Sequence, residues 1–195
     1  MFIHDWELTP NLSLGANITN NETTYSLDGD YQDIREHMIA ERGYDFYVNH
    51  SHAMSQINEF YNLLPTNHLG EILYPENFGG LFIDDGGNLV VLQVGSTADT
   101  SLISRFSEGI EIQNVTFSFN QIMETNRHLT DLFVNHSDSP SMSNVAGSWV
   151  DVINNRLVVY LHEYTEELIT DFKMNVIDSP LIAFYQHVQN AWIIR

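Results

Sequence analysis

The sequence predicts an α+β fold: two antiparallel-sheet subdomains, each built from a hairpin, a helix and a further strand, behind a helical N-terminal part. Three observations predict it. Apolar residues recur at helical spacing before Pro65, and the period changes to β-rich runs after Tyr74-Pro75. The order hairpin, helix, strand then occurs twice, at about 78–119 and 147–185, with Leu89-Val90-Val91-Leu92 and Leu157-Val158-Val159-Tyr160 at equivalent places. Two copies are too few for a solenoid. They suffice for a pair of subdomains in which helices cover one face of each sheet. The expected division is an N-terminal arm and helical region over 1–70, a first subdomain with a linking helix over 71–135, and a second subdomain with a C-terminal tail over 145–195.

Residues 1 to about 30 carry Asn, Thr, Ser, Gly and Asp without a sustained apolar period, the pattern of an extended or loosely packed arm. Tyr31, Ile34, Met38 and Ile39 have helical spacing over 31–40, and Ile57, Phe60, Tyr61 and Leu64 repeat it over 53–64 until Pro65 stops the helix. Leu81 to Asp84 and Leu89 to Val94 form a hairpin around Asp85-Gly86-Gly87-Asn88, residues that accept positive φ at little cost. Asp99 to Ser107 places Leu102, Ile103 and Phe106 on one helical face, with Gly109 positioned to end it. Ile110 to Phe119 reads as a strand whose alternation slips once, at Gln113-Asn114, as a bulge or a turn would make it. Asn120 to Phe133 is a longer helix, and Asn135 to Asn144 a polar loop. Trp149 to Ile153 and Arg156 to His162 form the second hairpin around Asn154-Asn155. Thr165 caps a helix with Glu166 and Glu167 at its positive end and Leu168, Ile169, Phe172 and Val176 on its apolar face. Ser179-Pro180 turns the chain into a last strand, Leu181 to Tyr185.

The charge balance narrows the partners. Acidic residues number 26 against 7 basic ones, a formal net charge of −19. Nucleic acid is held largely through Lys and Arg, so DNA, RNA and anionic lipid are poor partners and a cationic protein is a better one. No stretch approaches the ~20 apolar residues of a membrane span. The start, Met1-Phe2-Ile3-His4-Asp5-Trp6, lacks the basic region and apolar run of a signal peptide. The absence of cysteine removes disulfides, thiolate catalysis and Cys-ligated zinc.

Neither a Gly-x-Ser-x-Gly elbow nor a phosphate-binding glycine loop occurs. No catalytic residue and no cofactor is therefore assigned, and the chain is expected not to be an enzyme. His50-Ser51-His52, with His37 and His68 in the same half, is the densest histidine group. On an extended segment that pair would point both imidazoles one way, and a third ligand would close a zinc site. This supports an alternative reading as a metal-dependent enzyme, although solvated surface histidines are the plainer one and no metal ligand is assigned. His162-Glu163-Tyr164-Thr165-Glu166 looks like a zinc-protease fragment, but its residues fall on a strand end and a helix start rather than one turn apart on a helix. Asp28-Gly29-Asp30 with Asp33 fails as an EF-hand, because Asp33 stands where glycine is required.

Tyr74-Pro75-Glu76-Asn77-Phe78-Gly79-Gly80-Leu81-Phe82-Ile83-Asp84, followed by Gly87-Asn88-Leu89-Val90-Val91, resembles the opening of the core of alpha-lytic-protease-like pro-regions. Trp149-Val150-Asp151-Val152-Ile153-Asn154-Asn155-Arg156-Leu157-Val158-Val159 is similar to that family's later hairpin. The helix over Glu166 to Val176 and the strand from Asp178 to Phe184 follow in the family's order, so the resemblance spans roughly 71–186. It implies a non-catalytic module, secreted or extracytoplasmic, that binds a secreted chymotrypsin-like serine protease as inhibitor or folding chaperone. In that family the pro-region pairs strands with the protease and lays its tail in the substrate cleft, which is β-augmentation in physical terms. The contact surface so implied comprises Trp149, Arg156, Leu157 and Val159 of the second hairpin and Trp192, Ile193 and Ile194 of the tail. The tail has a second option, packing back onto its own sheet. A secreted structural or adhesion module without a protease partner is the alternative from another class.

Overall fold

The computed structural model describes residues 27–95, 106, 109–136 and 139–187. Two helices come first, α1 (Leu27–Arg42) and α2 (Tyr44–Asn62), broken at Gly43, whose φ of 92° suits glycine. Helix α1 starts at Leu27, inside the stretch expected as an arm; residues 1–26 lie outside the described part. Helix α2 starts nine residues before the expected Ala53. Its second half is held by burial of Ala53, Ile57 and Phe60. Its first half is rich in weak helix formers and is held by a loop from elsewhere. Asn49 Nδ2 donates to the Gly86 carbonyl at 3.0 Å and Arg42 to that of Asp85 at 2.9 Å. Tertiary contact thus overrides propensity.

That loop is the turn of the first hairpin, β1 (Phe78–Ile83) with β2 (Leu89–Val94). Asp84 Oδ1 accepts the backbone N–H groups of Gly86 and Asn88 at 2.8 and 2.7 Å, and Gly87 takes a φ of 84°. A Cβ on Gly87 would lie 2.7 Å from the Phe46 carbonyl, so glycine also permits the docking on α2. The predicted helix over Asp99 to Ser107 falls almost wholly outside the described residues. Phe106 alone is described, and its ring stacks on Phe60 at 4.5 Å.

Strand β3 (Glu111–Val115) pairs with β2 in parallel, from Val90↔Glu111 to Val94↔Val115. It ends four residues before the expected Phe119. The bulge or turn expected at Gln113-Asn114 is absent: both residues keep regular register with Leu92 and Gln93, and the strand stops beyond them, where Phe117 lies in a bend and Phe119 opens α3 (Phe119–His136). Ser118 and Gln121 form a reciprocal cap there. Gln121 N–H donates to Ser118 Oγ at 3.2 Å, and Ser118 N–H donates to Gln121 Oε1 at 2.9 Å. The expected loop over Asn135 to Asn144 contains a short helix, α4 (Pro140–Ser143), capped by Ser139.

The second unit repeats the first. Strands β4 (Val145–Asp151) and β5 (Arg156–Leu161) form a hairpin, α5 (Glu166–Asn175) crosses over, and β6 (Ile182–Gln186) pairs with β5 in parallel, from Leu157↔Ile182 to Leu161↔Gln186. Thr165 Oγ1 accepts the Leu168 N–H at 3.3 Å, the predicted cap. Each hairpin is antiparallel as expected, but each three-stranded sheet is mixed. A hairpin followed by a crossover returns the chain to the starting end of its second strand, so the third strand runs parallel to it. The repeat extends to an irregularity. One extra residue, Gly79 in β1 and Ala146 in β4, interrupts each register at the same place, opposite Leu92/Gln93 and Tyr160/Leu161.

Two cores result. Ala53, Ile57, Phe60 and Leu64 of the α2 region pack with Phe78, Leu89 and Val91. Ile122 and Leu129 of α3, Phe172 of α5 and Leu157, Val159 and Leu161 of β5 form the other. The central strand of the first sheet buries both faces, since Val90 and Leu92 are buried as well, whereas on β5 Val158 is buried and Tyr160 is half-exposed. Continuous Leu-Val-Val runs match that position.

The subdomains are joined at Asn155, the last residue of the β4–β5 turn, with a φ of 52° and only 5% exposure. Its Oδ1 accepts the Phe117 N–H at 2.8 Å. Its Nδ2 donates to the Phe117 carbonyl at 2.8 Å and to the Gly79 carbonyl at 3.3 Å. Beside it, a Cβ on Gly80 would lie 2.7 Å from Val152 Cγ1, and one on Gly79 2.5 Å from Val115 Cγ2. The Phe-Gly-Gly segment is therefore the seat on which the second hairpin rests.

Replacing Asn155 with Ala would leave an N–H and two carbonyls without their partner, each costing about 1–3 kcal/mol if it stays dry. We expect Asn155→Ala to lower the unfolding free energy by about 2–4 kcal/mol in urea denaturation. Gly80→Ala, at a φ of 124° and against Val152, is expected to cost about 1–3 kcal/mol. A loss under about 0.5 kcal/mol in both variants would show that the joint carries no stability.

Candidate functional site

Residues on β5 alternate between the core and the opposite face of the second sheet. Leu157, Val159 and Leu161 enter the core. Val158 and Tyr160 point the other way and meet their register neighbours in two rows, Trp149–Val158–Ala183 and Gly147–Tyr160–Tyr185. Trp149 and Tyr185 are 43% and 52% exposed, and the Tyr160 and Tyr185 rings lie 6.2 Å apart. This open face therefore displays three aromatic rings over a buried valine. Strand β6 forms its border, and among the described residues no strand pairs with the outer side of β6.

The repeat supplies a comparison within the molecule. Gly147 stands where Gly80 stands in the first sheet, each opposite the residue just before the irregularity. Gly80 is filled by Val152 of the following hairpin, whereas a Cβ on Gly147 would meet nothing within 4 Å. Leu92, beside Gly80, is fully buried; Tyr160, beside Gly147, is half-exposed. The same seat is thus occupied in one subdomain and open in the other. A separate groove lies between β4 and α3, on the helix side of the same sheet, lined by Val145, Ser148, Thr130 and Phe133.

The residues expected to make a contact surface divide. Trp149 lies on the open face. Arg156 is exposed but already engaged: its guanidinium donates to the Pro180 carbonyl and lies 5.6 Å from the Phe117 ring centroid. Leu157 and Val159 are 0% exposed and belong to the core, so their side chains offer no accessible surface. Trp192, Ile193 and Ile194 lie outside the described residues. Gly147, Tyr160 and Tyr185 were missed by sequence reasoning. Alternation with Val158 was the signal available for Tyr160.

The histidine-rich half does not take the geometry that suggested a metal. His50 and His52 are on α2 rather than on an extended segment. Two residues apart on a helix, they point to nearly opposite sides. His50 is half-buried with its ring 5.7 Å from Phe46, and burial holds it below its ordinary value; His52 is exposed. Among the described residues no three His, Asp or Glu side chains gather to hold an ion. For Asp84 burial alone would raise the carboxyl, but hydrogen bonds from Asn88 and from the Gly86 and Gly87 backbone outweigh it and hold it low. Its oxygens are committed to the turn. Among the described residues no helix is long and apolar enough to cross a membrane.

Comparison with known families finds two adjoining matches. Residues 43–122 match the Pro-like N-terminal domain, and residues 120–187 match the Pro-like C-terminal domain. They meet in the first turn of α3, next to the Phe117 anchor of Asn155. No curated protein matches the chain.

Exposure separates two sets of variants. Trp149→Ser and Tyr185→Ser are expected to change stability by less than about 0.5–1 kcal/mol, and Leu157→Ala to cost about 2–5 kcal/mol; thermal or urea unfolding distinguishes them. His50 gives a pH dependence. Its folded value lies below the ordinary 6.5, so its contribution is complete above that pH and is lost as pH falls toward the folded value. The denaturation midpoint should drop between pH 7.5 and pH 5, with a shallower drop in His50→Gln. An equal slope in that variant would remove His50 as a cause.

Proposed function

Pro-like domains over residues 43–187 support a pro-region-like, non-catalytic module, and from that premise we propose that the chain binds a secreted chymotrypsin-like serine protease, as inhibitor or folding chaperone, through the open face of its second sheet. The observation that carries this reading is the unoccupied seat at Gly147. In the first subdomain the equivalent glycine receives a hairpin turn from the next unit of the same chain. A hairpin from a partner fits the second in the same way.

Three further features support it. Trp149, Tyr160 and Tyr185 are residue types enriched at the energetic centres of interfaces. The outer side of β6 offers backbone donors and acceptors for an added strand. The net charge of −19 favours a cationic partner and speeds its approach. The tail residues Trp192, Ile193 and Ile194 follow β6 and would extend toward the protease cleft. Such a partner places the chain outside the cytoplasm.

The test is direct binding and inhibition, using proteases of this class secreted by the source organism. Gly147→Leu and Trp149→Ala are expected to weaken binding at least tenfold, about 1.4 kcal/mol, with the melting temperature unchanged. Deleting residues 191–195 is expected to do the same. If the intact chain neither binds nor slows any such protease, the proposal fails and a structural or adhesion module takes its place. If it binds but Gly147→Leu and Trp149→Ala bind equally well, the contact lies on another surface.

A further inference from the structure

The rows of the open face continue one step past the strands. His187 N–H donates to the Leu161 carbonyl at 2.8 Å, extending the parallel ladder beyond Leu161↔Gln186. This places His162 and His187 side by side on the face that carries Tyr160 and Tyr185. Their ring centroids are 5.8 Å apart and nearly perpendicular, at 87°. The equivalent pair in the first sheet is Val94 and Val115, by the same register. Apolar packing meets the needs of the fold at that position, and the second sheet carries two imidazoles instead.

The geometry points to a two-histidine site for a divalent late-transition-metal ion, zinc in the first instance, at the end of the second sheet. Imidazole nitrogens bind zinc at about 2.0–2.1 Å. Two rings on one tetrahedral ion then have centroids roughly 5–6 Å apart, the separation already present. Both ligands are held by their backbones. His162 N–H donates to the Asn144 carbonyl at 2.9 Å, and Asn144 exchanges two further hydrogen bonds with the backbone of Glu163. His187 is held by the ladder bond itself. The backbone spacing of the two ligands is therefore set before an ion binds, and the ion has only the side-chain torsions to order. His162 is exposed, so the ion has access, and the acidic chain raises the local cation concentration. Two protein ligands leave coordination positions for water or for a donor from another molecule. The site does not depend on a protease partner.

Zinc titration of the whole chain by calorimetry at pH 7.5 tests this. One saturable site is expected, weakened at least tenfold in His162→Ala and in His187→Ala, and retained in His128→Ala, which removes an exposed histidine of α3. Binding should also fall at pH 5, because a ligating imidazole must be neutral. A readout on the unaltered chain guards against misfolded variants: substoichiometric copper(II) is expected to broaden the imidazole proton signals of His162 and His187 before those of other histidines. Zinc affinity unchanged in both His162→Ala and His187→Ala, or broadening that begins elsewhere, overturns the assignment.

Discussion

A buried amide, that of Asn155, ties the two halves of the molecule together beside the packing of Phe119 on Tyr74 and Phe78. Each sheet has three strands of five to seven residues, close to the smallest assembly that is stable in water. Asn155 joins them by answering both backbone groups of Phe117 and one of Gly79, as a short piece of strand would. Few side chains can do this. Aspartate lacks the donor, glycine lacks the side chain, and most other residues resist a φ of 52°. Asparagine tolerates that conformation and carries donor and acceptor on one planar group. Gly80 is required because Val152 of the turn comes within contact distance of the β1 backbone, and Gly79 because Val115 and Leu92 of its own sheet do.

Docking by turns is the common rule of the fold. The first hairpin's turn rests on α2, held by Asn49 and Arg42; the second rests on the junction of β3 and α3, held by its own Asn155. Each hairpin thus uses its loop, usually the most solvated part, as a point of attachment. The two units differ in what covers the face opposite their helices. In the first it is the second hairpin; in the second it is three aromatic rings open to solvent.

Much of this was legible in the sequence, for physical reasons that also explain the gaps. The hairpins were legible because Asp-Gly-Gly-Asn and Asn-Asn accept turn conformations and Leu-Val-Val runs fit strands buried on both faces. Strand direction was not, since order along the chain does not say to which end a crossover returns. The first half of α2 was hidden because its support comes from Asn49, with Arg42 at the end of α1, meeting a loop about forty positions away. The end of β3 was mistaken because Phe117 and Phe119 prolong an apolar rhythm after the ladder has stopped; Ser118 with Gln121 was the overlooked sign. For the site, Trp149 was found on the surface, but Leu157 and Val159 were taken with it although alternation sends them inward. Gly147 carries no signal by itself, and acquires one only when the register sets it beside Gly80.

The amide joint also bears on the order of assembly. Asn155 is 38 residues from Phe117 and 76 from Gly79, so closing it spans far more chain than either hairpin does. Such long-range contacts come at a large loop-closure cost and follow local structure. The seat on β1 is synthesised first and can be complete before the second hairpin emerges, giving the chain a direction of growth in which the finished unit receives the next. An interaction made that late acts mainly on the rate of unfolding, so the Asn155 amide bears more on how long the folded molecule lasts than on how fast it forms.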